Sequence, residues 1–274
     1  MNLNANNFIK FLNKNYLFEN NPSIAVGVSG GPDSMGLLFL LKKWSKLTNA
    51  KLTALIVNHN LREDSKDEVN LVKKYLINKK INTKILSVKK NQINKRNMNE
   101  ARINRFNLMT NYCNKKKILH LFLAHHKDDN LETFLNRKVF GSDFDGLQSI
   151  KFCSLRNNIV IIRPLLNFSK KEILEYNKKN KVNFIVDPSN TNLDYTRPAI
   201  RKFINQANQK IKNEIKNEFE EIKRNSYFYD KMLSEILIKN TLKLNKNSVK
   251  IHLSNFLKLN VLISEKIVKN LYKF

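Results

Sequence analysis

Two segments concentrate the groups that chemistry on an anionic substrate needs. The first is Ser29-Gly30-Gly31-Pro32-Asp33-Ser34. Consecutive small residues between a strand-like run and a helix-like run let backbone N–H groups converge on an anion at a helix N-terminus, and the serine hydroxyls add donors. No Gly-Lys-Ser/Thr follows, so this is not a Walker A loop, and the glycines do not space as G-x-G-x-x-G. Asp33 beside a bound phosphate is unfavourable unless a cation bridges the two, and Mg²⁺ carried with nucleotide phosphates supplies that bridge. A tight structural turn is the alternative. Glycine economy argues against it: of six glycines in the chain, four (Gly27, Gly30, Gly31, Gly36) fall within ten residues.

The second segment is His125-His126-Lys127-Asp128-Asp129-Asn130-Leu131-Glu132-Thr133. On a helix starting near Asp128, Asp128 and Glu132 share a face, and Asp129 and Glu132 are neighbours. Zinc or dinuclear hydrolysis would use such residues, but the regular spacing of H-E-x-x-H is missing. Roles beside Mg²⁺ and a nucleotide, or around a substrate amine, fit better with the first loop. A solvated, acid-rich helix start is the plainer reading. His59-Asn60-Leu61-Arg62 and Glu100-Ala101-Arg102 are weaker clusters, compatible with capping and surface charge.

Apolar runs at 24–28, 52–57, 83–88, 118–124 and 159–162 alternate with helical patterns at about 64–79, 99–114 and 128–139. Strands alternating with helices imply a parallel sheet covered on both faces, and continuous apolar runs suit strands buried on both sides. The polar clusters follow the C-terminal ends of these strands, where ligands bind in open α/β sheets. Ser169-Lys170-Lys171-Glu172 is a capping-box pattern opening a helix to about Asn180. The expected architecture is Rossmann-like α/β, with a catalytic domain over 1–205 and a small, mainly helical region over 206–274, where Ile211, Ile215, Phe219 and Ile222 recur at helical spacing.

The chain has 274 residues, with 50 Lys+Arg against 23 Asp+Glu and a formal net charge of +27. Apolar residues make up 42%, enough for a core and too many for a disordered basic tail. Two cysteines cannot build a disulfide framework or a four-thiolate zinc site. No apolar run approaches the roughly 20 residues of a membrane span, and residues 1–18 do not read as a secretory signal; a cytoplasmic protein is expected. The charge points to a polyanion partner, against lysine drift in a biased composition. It is distributed: 36 basic and 16 acidic residues lie before residue 206, and 14 and 7 after.

The Ser29–Ser34 loop resembles the SGGxDS loop of the N-type ATP pyrophosphatases. With five further segments it resembles the tRNA(Ile)-lysidine synthetase family. The stretches are SGGPDS, VNHNLREDSKDE, NEARINRF, LAHHKDDNLETFLNRKVFGSDFDGL, RPLLNFSKKEI and DPSNTNLDYTRPAIR, in family order from about residue 24 to 201. The resemblance implies ATP-dependent adenylation of the wobble cytidine of a CAU-anticodon tRNA(Ile). The ε-amine of L-lysine then attacks C2, releases AMP and forms lysidine. It further implies that Ser29, Gly30, Gly31, Pro32, Asp33 and Ser34 hold ATP. Asp33 and Asp129 are the implied Mg²⁺ contacts, and Asp33, Arg102, His125, Asp129 and Glu132 the implied catalytic set. His59, Arg62, Asp128, Arg197 and Arg201 are candidate contacts to lysine or tRNA.

The chain departs from the family pattern at Phe140-Gly141-Ser142-Asp143, where Arg-Gly-x-Gly is usual, and at Pro198. Two other readings compete. A tRNA thiolase of the same superfamily commonly needs paired cysteines, whereas Cys113 and Cys153 are distant in sequence. A non-catalytic RNA-binding relative would not need the intact SGGPDS and HHKDDNLET segments.

Overall fold

The computed structural model describes residues 2–58, 65–87, 98–185, 196–245 and 248–271. The chain divides into two compact units. One comprises the residues up to Asn136 together with Ser149–Phe203, the other Arg137–Gln148 and the residues from Ile204 onward.

In the first unit a helix, α1 (Ala5–Asn15), precedes the alternation β1 (Ser23–Val28), α2 (Pro32–Thr48), β2 (Lys51–Asn58), α3 (Ser65–Asn78), β3 (Asn82–Ser87), α4 (Met98–Lys115), β4 (His120–Phe122) and α5 (Lys127–Val139). The sheet is completed by β5 (Cys153–Arg156) and β6 (Ile159–Ile162), and α7 (Lys170–Lys179) and α8 (Thr196–Gln206) follow; a one-turn helix, α6 (Phe144–Leu147), lies between α5 and β5. Strand order is β3-β2-β1-β4-β6-β5, parallel except for β5, which pairs antiparallel with β6. The expected Rossmann-like sheet is therefore present with one added antiparallel edge. Asn157 and Asn158 make that hairpin, at φ 49° and 61°. Two successive left-handed residues form the tight turn that matches strand twist, and asparagine tolerates the conformation.

The two faces of the sheet carry separate cores. On one, α2 buries Met35, Leu37, Leu38, Leu40, Leu41 and Trp44, an apolar surface running round most of the helix because it lies between the sheet, α1 and α7. On the other, Phe106, Met109 and Cys113 of α4 pack against Ala25, Leu55 and Leu121. Helix ends are the third organising feature. In α3, α4 and α7 the residue after the last turn is a left-handed lysine: Lys80 (φ 56°), Lys117 (φ 54°) and Lys181 (φ 51°). Each closes a double turn of Schellman type, as Ile81, Ile118 and Val182 donate to the carbonyls of Leu76, Cys113 and Asn177. The left-handed conformation costs about 1–2 kcal/mol for a residue with a Cβ.

In the second unit the 32-residue helix α9 (Gln209–Asn240) leads to a hairpin, β7 (Thr241–Asn245) and β8 (Ser248–Ile251), then α10 (Leu253–Phe256) and α11 (Val261–Leu271). The helical expectation for this region omitted the hairpin. Arg137–Gln148 joins this unit through a Lys138–Glu218 ion pair, an ion pair of Lys266 with Asp145, and edge-on packing of Phe144 on Tyr229 at 5.7 Å. The departure at Phe140–Asp143 thus belongs with the C-terminal residues. Phe140 is exposed there, and the Asp143 side chain caps α6 by accepting from the Gly146 N–H at 2.9 Å.

Candidate active site

The Ser29–Ser34 loop leaves the C-terminal end of β1 and enters α2. Gly31 is the N-cap of α2 and offers no side-chain cap, while Pro32 begins the helix with no N–H to satisfy. The first-turn N–H groups of a 17-residue helix are thereby left for an anion. Gly30 has φ +85°, and a Cβ there would stand 2.9 Å from Val72 Cγ2. Its carbonyl accepts from the Ile185 N–H at 2.9 Å. The Ser34 hydroxyl donates to the Gly31 carbonyl at 3.0 Å and accepts from the Ser29 N–H at 3.1 Å, with the Ser29 hydroxyl 3.1 Å away. The turn is thus fixed before any ligand arrives. At Gly36 a Cβ would meet Asn177 Oδ1 at 2.8 Å, and the same asparagine donates to the Pro32 carbonyl at 2.8 Å. Close approach of α7 to α2 is what requires that glycine.

Asp33 is held by Lys170, whose ammonium lies 2.6 Å from both carboxylate oxygens. Lys170 is the first residue of α7, behind the Ser169–Glu172 capping box that the sequence pattern predicts. A cation at a helix N-terminus opposes the macrodipole; the paired carboxylate compensates for it. The Lys170 N–H also donates to Asp128 Oδ2 at 2.7 Å, so α2, α5 and α7 bring their N-termini to one place.

His126 is the hub of this cluster. It is buried, and its N–H donates to Asp129 Oδ2 at 3.0 Å while the Asp129 N–H lies 3.4 Å from Nδ1. This reciprocal arrangement caps α5 as a capping box does. Nδ1 is also 3.4 Å from Asp128 Oδ2, and Nε2 is 3.4 Å from Asp129 Oδ2 and 3.8 Å from Asp33 Oδ1. Burial alone would push the imidazole pKa down. The hydrogen bond to Asp128, with the charges of Asp129, Asp33 and Asp128, outweighs burial and holds it above the ordinary value. Burial likewise pushes Asp128 up, but the bonds from His126 and the Lys170 N–H win and hold it below the usual carboxylate range. Protonated, Nδ1 donates to Asp128; the Asp129 N–H contact to the same atom, also at 3.4 Å, belongs to the neutral ring.

Glu132, on the next turn of α5, is buried and gripped by Arg201 of α8 through Nε at 2.7 Å and Nη2 at 3.0 Å. That bond, followed by the charges of Glu132, Asp129 and Asp128, raises the guanidinium pKa. Arg163, directly after β6, is also buried. Its Nη1 donates to the Lys151 carbonyl at 2.9 Å and to Ser154 Oγ at 3.0 Å, and its Nε has no hydrogen-bond partner among the described residues. Burial, and then the charge of Arg102, lowers it to about 10. Arg102 is exposed, with its guanidinium 5.9 Å from the centre of the Phe106 ring.

The structure therefore gathers Asp33, Asp128 and Asp129 around one histidine, and seats Glu132 beside them on Arg201. His125, the candidate named from sequence, is half-buried after β4; the residue at the centre is its neighbour. His59, Arg62 and the Arg197 side chain lie outside the described residues. Sequence reading missed His126 and Lys170 as site residues. The capping position of His126 before an acidic first turn, and the misplaced charge of Lys170, were the available signals.

A family model described as the PP-loop domain, of ATP-binding type, matches residues 1–208. Over 199 residues the chain is 41% identical to a tRNA(Ile)-lysidine synthase of Wolbachia pipientis wMel, covering 71% of this chain and 46% of the relative. It is 41% identical over 194 residues to that of Rickettsia akari (70% and 44%), and 36% identical over 187 residues to that of Orientia tsutsugamushi (68% and 42%). The chain is thus matched over slightly less than half the length of these relatives. Among solved structures, the U34-tRNA thiolase NcsA of Methanococcus maripaludis, with its 4Fe–4S cluster, aligns with a TM-score of 0.66 at 18% identity, covering 84% of this chain and 78% of that one. This is a likeness of fold.

Proposed function

Because the chain belongs to the PP-loop domain family of ATP-binding proteins, we propose that it is an ATP-dependent ligase that joins L-lysine to C2 of the wobble cytidine of CAU-anticodon tRNA(Ile). The cytidine O2 is first adenylated, with release of pyrophosphate. The lysine ε-amine then displaces AMP, and the product lysidine changes decoding from AUG to AUA. Six motifs in order and the names of the curated relatives support this reading. The observation that carries it is the meeting, at one sheet edge, of an uncapped helix N-terminus, a cation-held Asp33 and the carboxylates of α5.

The N–H groups of the loop and the first turn of α2 would bind ATP phosphates, with the hydroxyls of Ser29 and Ser34 fixing the turn. Lys170, 2.6 Å from Asp33, lies within reach of those phosphates. Among the described residues no three His, Cys, Asp or Glu side chains form a metal cage. Mg²⁺ bound with a nucleotide needs only one or two carboxylates, and Asp33 and Asp129 fit that role. When bound, the ion neutralises charge developing on pyrophosphate. Glu132 already holds the Arg201 guanidinium through both oxygens, so the ammonium of lysine would share that carboxylate with it. Asp128 and His126 are placed to hold or relay a proton near that amine.

The catalytic domain would span 1–205, and the 206–274 region would assist RNA binding. No helix among the described residues is long and apolar enough to cross a membrane; we place the protein in the cytoplasm with its tRNA. The test incubates the protein with CAU-anticodon tRNA, ATP and lysine and examines the tRNA by mass spectrometry. The expected result is a lysine adduct on the wobble cytidine, with AMP formed and the product lost in Asp33→Ala. AMP formation without an adduct, or a sulfur-bearing product, would overturn the reading.

A further inference from the structure

At the sheet edge where the parallel strands begin, opposite the candidate active site, the ends of α2, α3 and α7 carry charge of one sign, while the carboxylate at this edge, Glu19, is paired with His120 at the start of β4. Segments 39–51, 73–84 and 176–185, which close α2, α3 and α7, contain twelve lysines and no aspartate or glutamate. Two contacts tie these ends into one surface: Lys42 Nζ donates to the Lys79 carbonyl at 2.5 Å, and Lys43 Nζ donates to Asn180 Oδ1 at 2.7 Å. Lys43, Lys46, Lys79, Lys80 and Lys179 are exposed. Lys43 and Lys79 lie over the rings of Tyr176 and Tyr75, at 5.6 Å and 5.5 Å. Lys42 is partly buried among its neighbours, and burial first, then Lys46, Lys79 and Lys80, lowers its pKa.

Neither lysine drift nor the helix dipole accounts for the pattern. The dipole favours cations within the last turn, yet Lys80 and Lys181 sit beyond it, in the left-handed conformation. Asparagine adopts that conformation with less strain and is abundant in this chain; it does so at Asn49, the corresponding end of α2. Lysine therefore occupies these two positions, as it does at Lys117 at the end of α4, where local backbone chemistry prefers another available residue. Mutually repelling cations on a rigid surface are relieved by a polyanion, which gains further from release of its counterions.

We propose that this pole binds the phosphate backbone of an RNA, separately from the ATP edge. That the RNA is the tRNA substrate rests on the proposed function. RNA is favoured over an anionic membrane because the charge spans the ends of three helices. Exposed Leu47 and Ile77 nevertheless make acidic vesicles the competitor to exclude.

The experiment measures binding of the full chain to fluorescent CAU-anticodon tRNA by anisotropy across 50–300 mM salt (about the range in which phosphate contacts dominate). Lys79→Asn, Lys80→Asn and Lys179→Asn are combined. Losing three cations should reduce the slope of log affinity against log salt by roughly two to three, and weaken binding about tenfold or more. ATP affinity should not change, and the melting temperature should not fall, because asparagine relieves strain at position 80. Should that variant fail to fold, Lys46→Gln with Lys178→Gln, both on exposed helix positions, carries the same expectation at smaller size. An unchanged slope in a folded variant overturns the proposal. So does a loss of binding to phosphatidylserine vesicles while tRNA binding is kept. A lost slope in a protein that forms no lysidine supports this surface and refutes the ligase; lysidine formation with an unchanged slope does the reverse.

Discussion

Gly30→Ala isolates what the Ser29–Ser34 loop requires of its backbone. At φ +85° an alanine is strained by about 1–2 kcal/mol. Its Cβ would also meet Val72 Cγ2 at 2.9 Å, well inside the roughly 3.5–4.0 Å of a carbon–carbon contact. Val72 is buried on α3, where a β-branched side chain has essentially one rotamer, so it cannot swing away. Overpacking of this kind costs about 1–3 kcal/mol. Together the two effects amount to about 2–5 kcal/mol, a fall in melting temperature of roughly 5–15 °C for a unit of this size. Trp44, the sole tryptophan, is buried in the same core and reports urea unfolding by fluorescence. Adding Val72→Ala to the Gly30→Ala background should recover the steric part and leave the φ part. A cost below about 0.5 kcal/mol, or complete recovery by Val72→Ala, would refute the reasoning.

Lys170→Met should weaken binding of Mg-ATP about tenfold, because Asp33 would then face the phosphates without its ammonium, and Lys170→Arg should restore much of the loss; calorimetry that finds equal affinities refutes this. Arg201→Met leaves Glu132 buried and unpaired, and since Arg201 is half exposed the cost should be about 1–3 kcal/mol rather than that of a fully buried pair; urea unfolding measures it. His126→Asn keeps the cap of α5 but removes a group whose pKa is raised on folding. The wild-type advantage should be complete below about pH 6.5 and fade as pH rises through the raised value, so melting temperatures that converge on acidification would contradict the sign. Burial pushes Cys113 to about 12 and Cys153 to about 11, so native protein should react slowly with a thiol reagent near neutral pH and rapidly once unfolded. Fast native labelling would reopen the sulfur-transfer alternative.

The features legible in the sequence were those encoded over short stretches. Glycine clustering marked the Ser29–Ser34 loop, continuous apolar runs marked the five parallel strands, and Ser169 with Glu172 marked the start of α7. What escaped was set by contacts between distant segments. Asp33 and Lys170 are 137 positions apart, and Glu132 and Arg201 are 69 apart. No periodicity announces either pair, although an unexplained cation at a helix N-terminus is a clue of the right kind. The β5 strand was missed because Asn157-Asn158 makes its turn without glycine, and because Cys153–Arg156 is barely apolar. The alternation of leucine with polar residues in Thr241–Asn245 was readable as strand, but the long helical pattern before it drew the reading onward.

The two border strands of the six-stranded sheet, as seen among the described residues, bear on how this protein meets others. On one side β3 presents exposed Lys84; on the other, β5 is four residues long and ends at Arg156, whose guanidinium stacks 4.8 Å from the Phe106 ring. Short, charged borders resist recruiting a strand from a neighbouring chain. Association through main-chain pairing is therefore disfavoured at both borders. A partner that meets this unit by its helix ends and loops can bind and release without extending the sheet.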